Sequence, residues 1–186
     1  MNPALRRLAQ SGGLVAAAFA LKYPLVAIPN VEPLTLVFFA LGYAHGPLWG
    51  AGIGAVSELI FATLNPLGPS LPPVWLTQIV GMSLAGVAGG LIRPLWTRIE
   101  RKGTKILVAA VFGIAVTLIF DLLTNLSFAV VIGPFWPVMI AAIPFAAVHV
   151  ASNALLFASV FPILSRWLAR PSHPVVPAEA SSSQVS

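Results

Sequence analysis

Asp121 stands inside a long apolar run, with Thr117 and Asn125 four residues to either side. At helical spacing these three form one polar stripe. His149 and Asn153 are also four apart, with Ser152 beside them, in a second apolar run. Glu58 closes a line of Gly46, Gly50 and Gly54 at steps of four, and Asn30 and Glu32 fall in a Pro- and Asn-containing break. A charge at the centre of a bilayer costs at least ~2.5–3.5 kcal/mol, so such groups usually face a bundle interior or a cavity and carry function. The chemistry on offer is hydrogen bonding and ion pairing to a small ligand. Asp121, Asn125, His149 and Asn153 are expected to line a polar cavity, with Asn30 and Glu32 on its lid. The plainer alternative is internal glue, in which Asp121, Asn125 and Asn153 satisfy one another or nearby backbone and His149 is simply packed.

Bond-breaking chemistry finds no support. No H-E-x-x-H, G-x-S-x-G, paired glutamates or Ser/His/Asp order is present, and there is no Walker motif for ATP hydrolysis. Scattered carboxylates and one buried-type histidine do not make a metal site. The absence of cysteine excludes disulfides, a thiol nucleophile and thiolate ligands. The chain is therefore expected to be no enzyme and to need no cofactor or metal.

The elements that must position these groups follow from composition. Of 186 residues 58% are hydrophobic and 8% charged, with a mean hydropathy of +0.94. Soluble domains carry about 25% charged residues, so composition points to an all-α membrane protein. The net charge of +5 reflects scarce acids and not a basic face, which argues against nucleic acid as a partner. A span takes ~20 apolar residues, and six runs qualify: Gly13–Ile28, Pro33–Tyr43, Pro47–Leu64, Pro73–Leu95, Ile106–Ile132 and Val138–Leu168. The second is short for a full crossing, so a tilted, broken or re-entrant segment is expected there. Residues 1–170 form one transmembrane domain and 171–186 a flexible Pro/Ala/Ser tail.

Six spans with both termini cytoplasmic place nine of the ten basic residues inside: Arg6, Arg7, Arg93, Arg98, Arg101, Lys102, Lys105, Arg166 and Arg170. Only Lys22 points outward, whereas five or seven spans put a basic cluster on the wrong side. Trp49, Trp96 and Trp167 fall near the inner interface, and Trp75 and Trp136 near the outer one. Arg6-Arg7, Leu14–Leu21 and Ala18-Phe19-Ala20 mimic a cleavable secretory signal. The apolar stretch resumes through Tyr23–Ile28, however, which favours an uncleaved first span. Small residues four apart mark packing seams: Gly46, Gly50 and Gly54; Gly81, Ala85 and Gly89, with Gly86 and Gly90 beside them; and Ala16 and Ala20, with Gly12 a turn earlier.

In their order and spacing, several stretches resemble the substrate-binding S components of energy-coupling factor (ECF) transporters. They are Ile28-Pro29-Asn30-Val31-Glu32-Pro33, Leu41-Gly42-Tyr43-Ala44-His45-Gly46-Pro47, Ser57-Glu58, Asp121-Leu122-Leu123-Thr124-Asn125, His149-Val150-Ala151-Ser152-Asn153 and Phe161-Pro162-Ile163-Leu164. The resemblance implies a six-helix plasma-membrane protein that binds a vitamin or cofactor precursor from outside. It also implies partners, a membrane-embedded T subunit and two ABC-type ATPases, with docking that topples the S component toward the cytoplasm. Ala16 and Ala20 match the family's T-contacting Ala-x-x-x-Ala. The pattern looks nearest to cobalamin-type or still unassigned members, and no residue fixes one vitamin. Rivals of other classes are an autonomous secondary transporter or channel using Asp121 and Glu58, and a membrane scaffold without ligand.

Overall fold

The computed structural model describes residues 2–28 and 30–169, so the expected tail 171–186 and Arg170 lie outside the described residues. Within them the chain is all-helical: α1 (Pro3–Leu25), α2 (Leu34–His45), α3 (Pro47–Thr63), α4 (Pro72–Arg98), α5 (Lys102–Ile132) and α6 (Phe135–Ala169). The breaks follow the Pro/Gly/Asn punctuation. Pro47 and Pro72 occupy first turns, where a missing N–H costs nothing. Asn2 caps α1, its side-chain oxygen accepting from the Ala4 amide at 3.0 Å. Helix α1 runs unbroken through Ala18-Phe19-Ala20.

Three helices, α4, α5 and α6, are long and apolar enough to cross a membrane. Their outward faces carry large apolar side chains such as Leu91, Leu155 and Ile163. A water-soluble monomer rarely exposes apolar surface on this scale, which marks a membrane protein. Helix α2 is different. Its 12 residues rise about 18 Å, short of a ~30 Å bilayer core, and every residue from Leu34 to Tyr43 is buried. The short second run is thus the central post of the bundle, touched by α1, α3, α4, α5 and α6. An apolar surface all the way round is what such a buried helix requires.

The glycine lines are internal seams. A Cβ on Gly54 would come within 2.6 Å of the Met82 carbonyl oxygen, and one on Gly50 within 2.7 Å of the Gly86 carbonyl oxygen. Gly42 and Gly89 likewise abut the backbone of Gly86 and Phe39. Only hydrogen fits at these crossings, which is how α2, α3 and α4 approach closely enough to gain dispersion contact in an apolar solvent. An aromatic cluster of Phe39, Phe157, Phe161 and Trp96 fills the centre on the α6 side.

Helix α1 is peripheral, touching only α2 and α3. Its inward face holds Ser11, which accepts from the Trp49 indole N–H at 2.9 Å, and the buried Ala18. Gly12, Ala16 and Ala20 lie on the opposite, exposed face. The small line on α1 is therefore not an internal seam.

Candidate functional site

Beyond the N-terminal end of α2 the bundle opens into a cavity of about 310 Å³. Its walls come from the end of α1, residues 30–32, the end of α3, the turn after α3, and the middle of α4, α5 and α6. Seven lining side chains are polar, an unusual density for a chain with 15 charged residues in all.

The deepest part is a charged chain. His149 of α6 sits between two carboxylates: Asp121 Oδ1 of α5 is 2.7 Å from its Nδ1, and Glu32 Oε1 is 3.6 Å from its Nε2. The first distance is a hydrogen bond; the second is within ion-pair range and too long for one. Both ring nitrogens facing carboxylates calls for a proton on each, the imidazolium form. His149 is 2% exposed, Glu32 6% and Asp121 7%. Phe120 covers the imidazole edge-on, with ring centroids 5.8 Å apart.

Glu32 is held by the start of α2. Its carboxylate accepts from the Leu34 amide at 2.6 Å, from the Thr35 amide at 3.2 Å and from the Thr35 hydroxyl. A carboxylate at a helix N-terminus satisfies orphan amides and meets the positive end of the helix dipole. Burial alone pushes its pKa up, but the His149 ring, the Lys22 charge and the Thr35 hydroxyl outweigh that and hold it down at about 2 against an ordinary 4.5.

The remaining polar wall is Lys22, Asn30, Glu58, Asn65 and Gln78. The Lys22 ammonium lies 3.6 Å from the centroid of the Phe61 ring, a cation–π contact. Glu58 is 2% exposed, and its Oε2 has no hydrogen-bond partner; Gln78 Oε1 has none either.

The predicted residues are only partly brought together. Glu32, Asp121 and His149 form one chain, and Asn30 joins the wall while its carbonyl accepts from the Ser152 hydroxyl at 3.0 Å. Asn153 lies one turn further along α6, fully buried, donating to the Thr117 hydroxyl at 2.9 Å. It sits beneath the cavity and not on its lining. Asn125 faces a separate, mostly apolar groove of about 450 Å³ between α5 and α6, which shares Asn30 with the cavity. Sequence reasoning gave Glu58 a role only in the rival carrier reading, outside the predicted ligand site, and did not pick out Lys22, Asn65 or Gln78 as site residues. For Lys22 a signal existed, since it is the one basic residue that breaks the inside bias.

No group of three or more His, Cys, Asp or Glu side chains among the described residues could hold a metal. Comparison with protein-family models, with curated proteins and with solved structures finds no match for this chain.

Proposed function

We propose that this protein is the substrate-binding S component of an ECF-type transporter. It captures a vitamin-like small molecule from outside and passes it inward with a T subunit and two ABC-type ATPases. In this reading all six helices belong to the plasma-membrane domain, both termini and the basic α4–α5 junction, Arg93–Lys105, are cytoplasmic, and the cavity opens outward. The observation that carries it is the cavity itself, a polar pocket with buried charges at one end of an apolar bundle. Gln78 on its wall and the basic Arg98 are twenty residues apart on α4, about 30 Å along the axis, so the pocket and the basic end lie at opposite faces of a bilayer. The exposed Gly12–Ala16–Ala20 face of α1 supports the docking part of the reading. Close approach of a partner helix needs small residues, and none of the described helices covers them.

A second reading has one observation in its favour. Buried carboxylate–imidazole chains such as Asp121–His149–Glu32 carry protons in pumps and carriers, which suits an autonomous proton-coupled transporter. One experiment separates the two. The small molecule carried through purification is identified by native mass spectrometry, and its uptake is followed in vesicles with and without the T subunit and ATPases. Uptake that requires ATP and the partners supports the S-component reading. Uptake by this chain alone, driven by a pH gradient, supports the carrier.

A further inference from the structure

The cavity wall is out of balance in two ways that agree. Among the described residues it holds three carboxylates, Glu32, Asp121 and Glu58, either on the wall or directly behind it through His149. Two cations face them, Lys22 and the His149 imidazolium. Glu32 and Asp121 are matched by His149 on either side, and Lys22 rests on the Phe61 ring with no carboxylate oxygen within ion-pair distance. Glu58 feels the Lys22 charge through space but makes no ion pair among the described residues, and it is buried with Oε2 unpartnered. On the wall, Glu58 Oε2 and Gln78 Oε1 are acceptors without a donor, while the remaining unpartnered wall atom, His149 Nε2, is a donor that already faces Glu32 Oε1 at 3.6 Å.

Buried acceptors without donors cost about 1–3 kcal/mol each, more when charged, and native proteins seldom keep them unless something else supplies the donor. We propose that the cavity takes a compact organic monocation whose N–H groups donate to Glu58 and Gln78. The proposal rests on the reading that this cavity is the ligand site. A volume of about 310 Å³ is at the lower end for small-molecule sites, so the occupant is of one-ring size. A corrinoid macrocycle does not fit, which separates this chain from the cobalamin-type members its sequence pattern resembles. Phe120 on the wall suits a flat cation, because aromatic rings attract positive charge. An amidinium or a protonated amino-heterocycle has this chemistry; a carboxylate or phosphate does not.

The test uses the full chain in lipid nanodiscs with three probes of one shape: benzamidinium, benzamide and benzoate, read by calorimetry. A charged hydrogen bond is worth about 1.5–3 kcal/mol, so benzamidinium is expected to bind about ten- to a hundredfold tighter than benzamide, with benzoate weakest. Glu58→Gln should remove most of that preference. Gln78→Met, at a half-buried position, provides a second variant that also weakens benzamidinium, and circular dichroism checks that both are folded. Benzamide or benzoate binding as tightly as benzamidinium overturns the proposal. So does benzamidinium affinity unchanged by Glu58→Gln, or no binding of benzamidinium at all. Association of the same preparation with a T subunit and ATPases is scored separately. Cation preference without association rejects the transporter assignment and keeps the site, whereas association with anion preference does the reverse.

Discussion

Removing Asp121 tests whether its pairing with His149 holds the cavity end of the bundle together. Asp121→Ala takes away the 2.7 Å hydrogen bond at Nδ1 and leaves the imidazolium with one carboxylate, Glu32, at 3.6 Å. Both members are more than nine-tenths buried, so little solvent screening softens the loss. Breaking a buried pair by deleting one partner costs about 3–5 kcal/mol, and the remaining Glu32 puts the expected value at the lower end. Asp121→Asn keeps an acceptor of the same shape and loses the charge, so about 1–2 kcal/mol is expected, the difference between a charged and a neutral hydrogen bond. His149→Leu alone strands the opposite side, but the double substitution Asp121→Ala/His149→Leu removes both partners and should cost well under the sum. Equilibrium unfolding in bicelles with denaturing detergent, followed by tryptophan fluorescence, gives all four energies. A coupling of at least about 1 kcal/mol is expected for contacting residues. Additive effects, or Asp121→Ala within about 0.5 kcal/mol of the parent, would refute the reasoning.

In right-side-out vesicles, Gly103→Cys should resist a membrane-impermeant thiol reagent and Ser70→Cys should react; the opposite pattern sinks the six-span arrangement. Glu32 titrates at about 2 in the fold against an ordinary 4.5. Its contribution is fully present above pH 4.5 and lost as pH falls toward 2, so Glu32→Gln should flatten the stability loss across that window in acid unfolding curves; an unchanged slope counts against the cap at α2. Ala16→Trp with Ala20→Trp adds bulk to a face exposed in the isolated chain. Unfolding stability and probe binding should stay within about twofold of the parent while T-subunit association is lost, and retained association removes the docking role.

Much of the bundle was legible because its physics is local. Apolar runs and Pro/Gly breaks outlined the six helices, and small residues at steps of four marked the seams that join α2, α3 and α4. Helix ends were less so, because α1 and α5 continue past their apolar runs to Pro3 and Lys102, where polar residues are just as helical. Asp121 and His149 stood out as charges in apolar sequence, and the fold pairs them. What sequence did not disclose depends on how helices cross. Asn125 follows Asp121 by one turn yet faces another groove. Asn153 follows His149 by one turn and ends beneath the cavity. Lys22 and Gln78 come from helices that meet at one wall around the buried α2, and its 12 residues, apolar but for Thr35 and His45, show no period that says which neighbour each one meets.

The transporter assignment is tested most directly by what the full chain holds on to. The tagged chain is solubilised from its own membrane in mild detergent, and the retained proteins are quantified by mass spectrometry. The account predicts one membrane-embedded T subunit and two ABC-type ATPases per copy, retained by the parent and lost from the Ala16→Trp/Ala20→Trp variant. A chain recovered without any ATPase, yet still moving its small molecule across vesicles that contain nothing else, would contradict it.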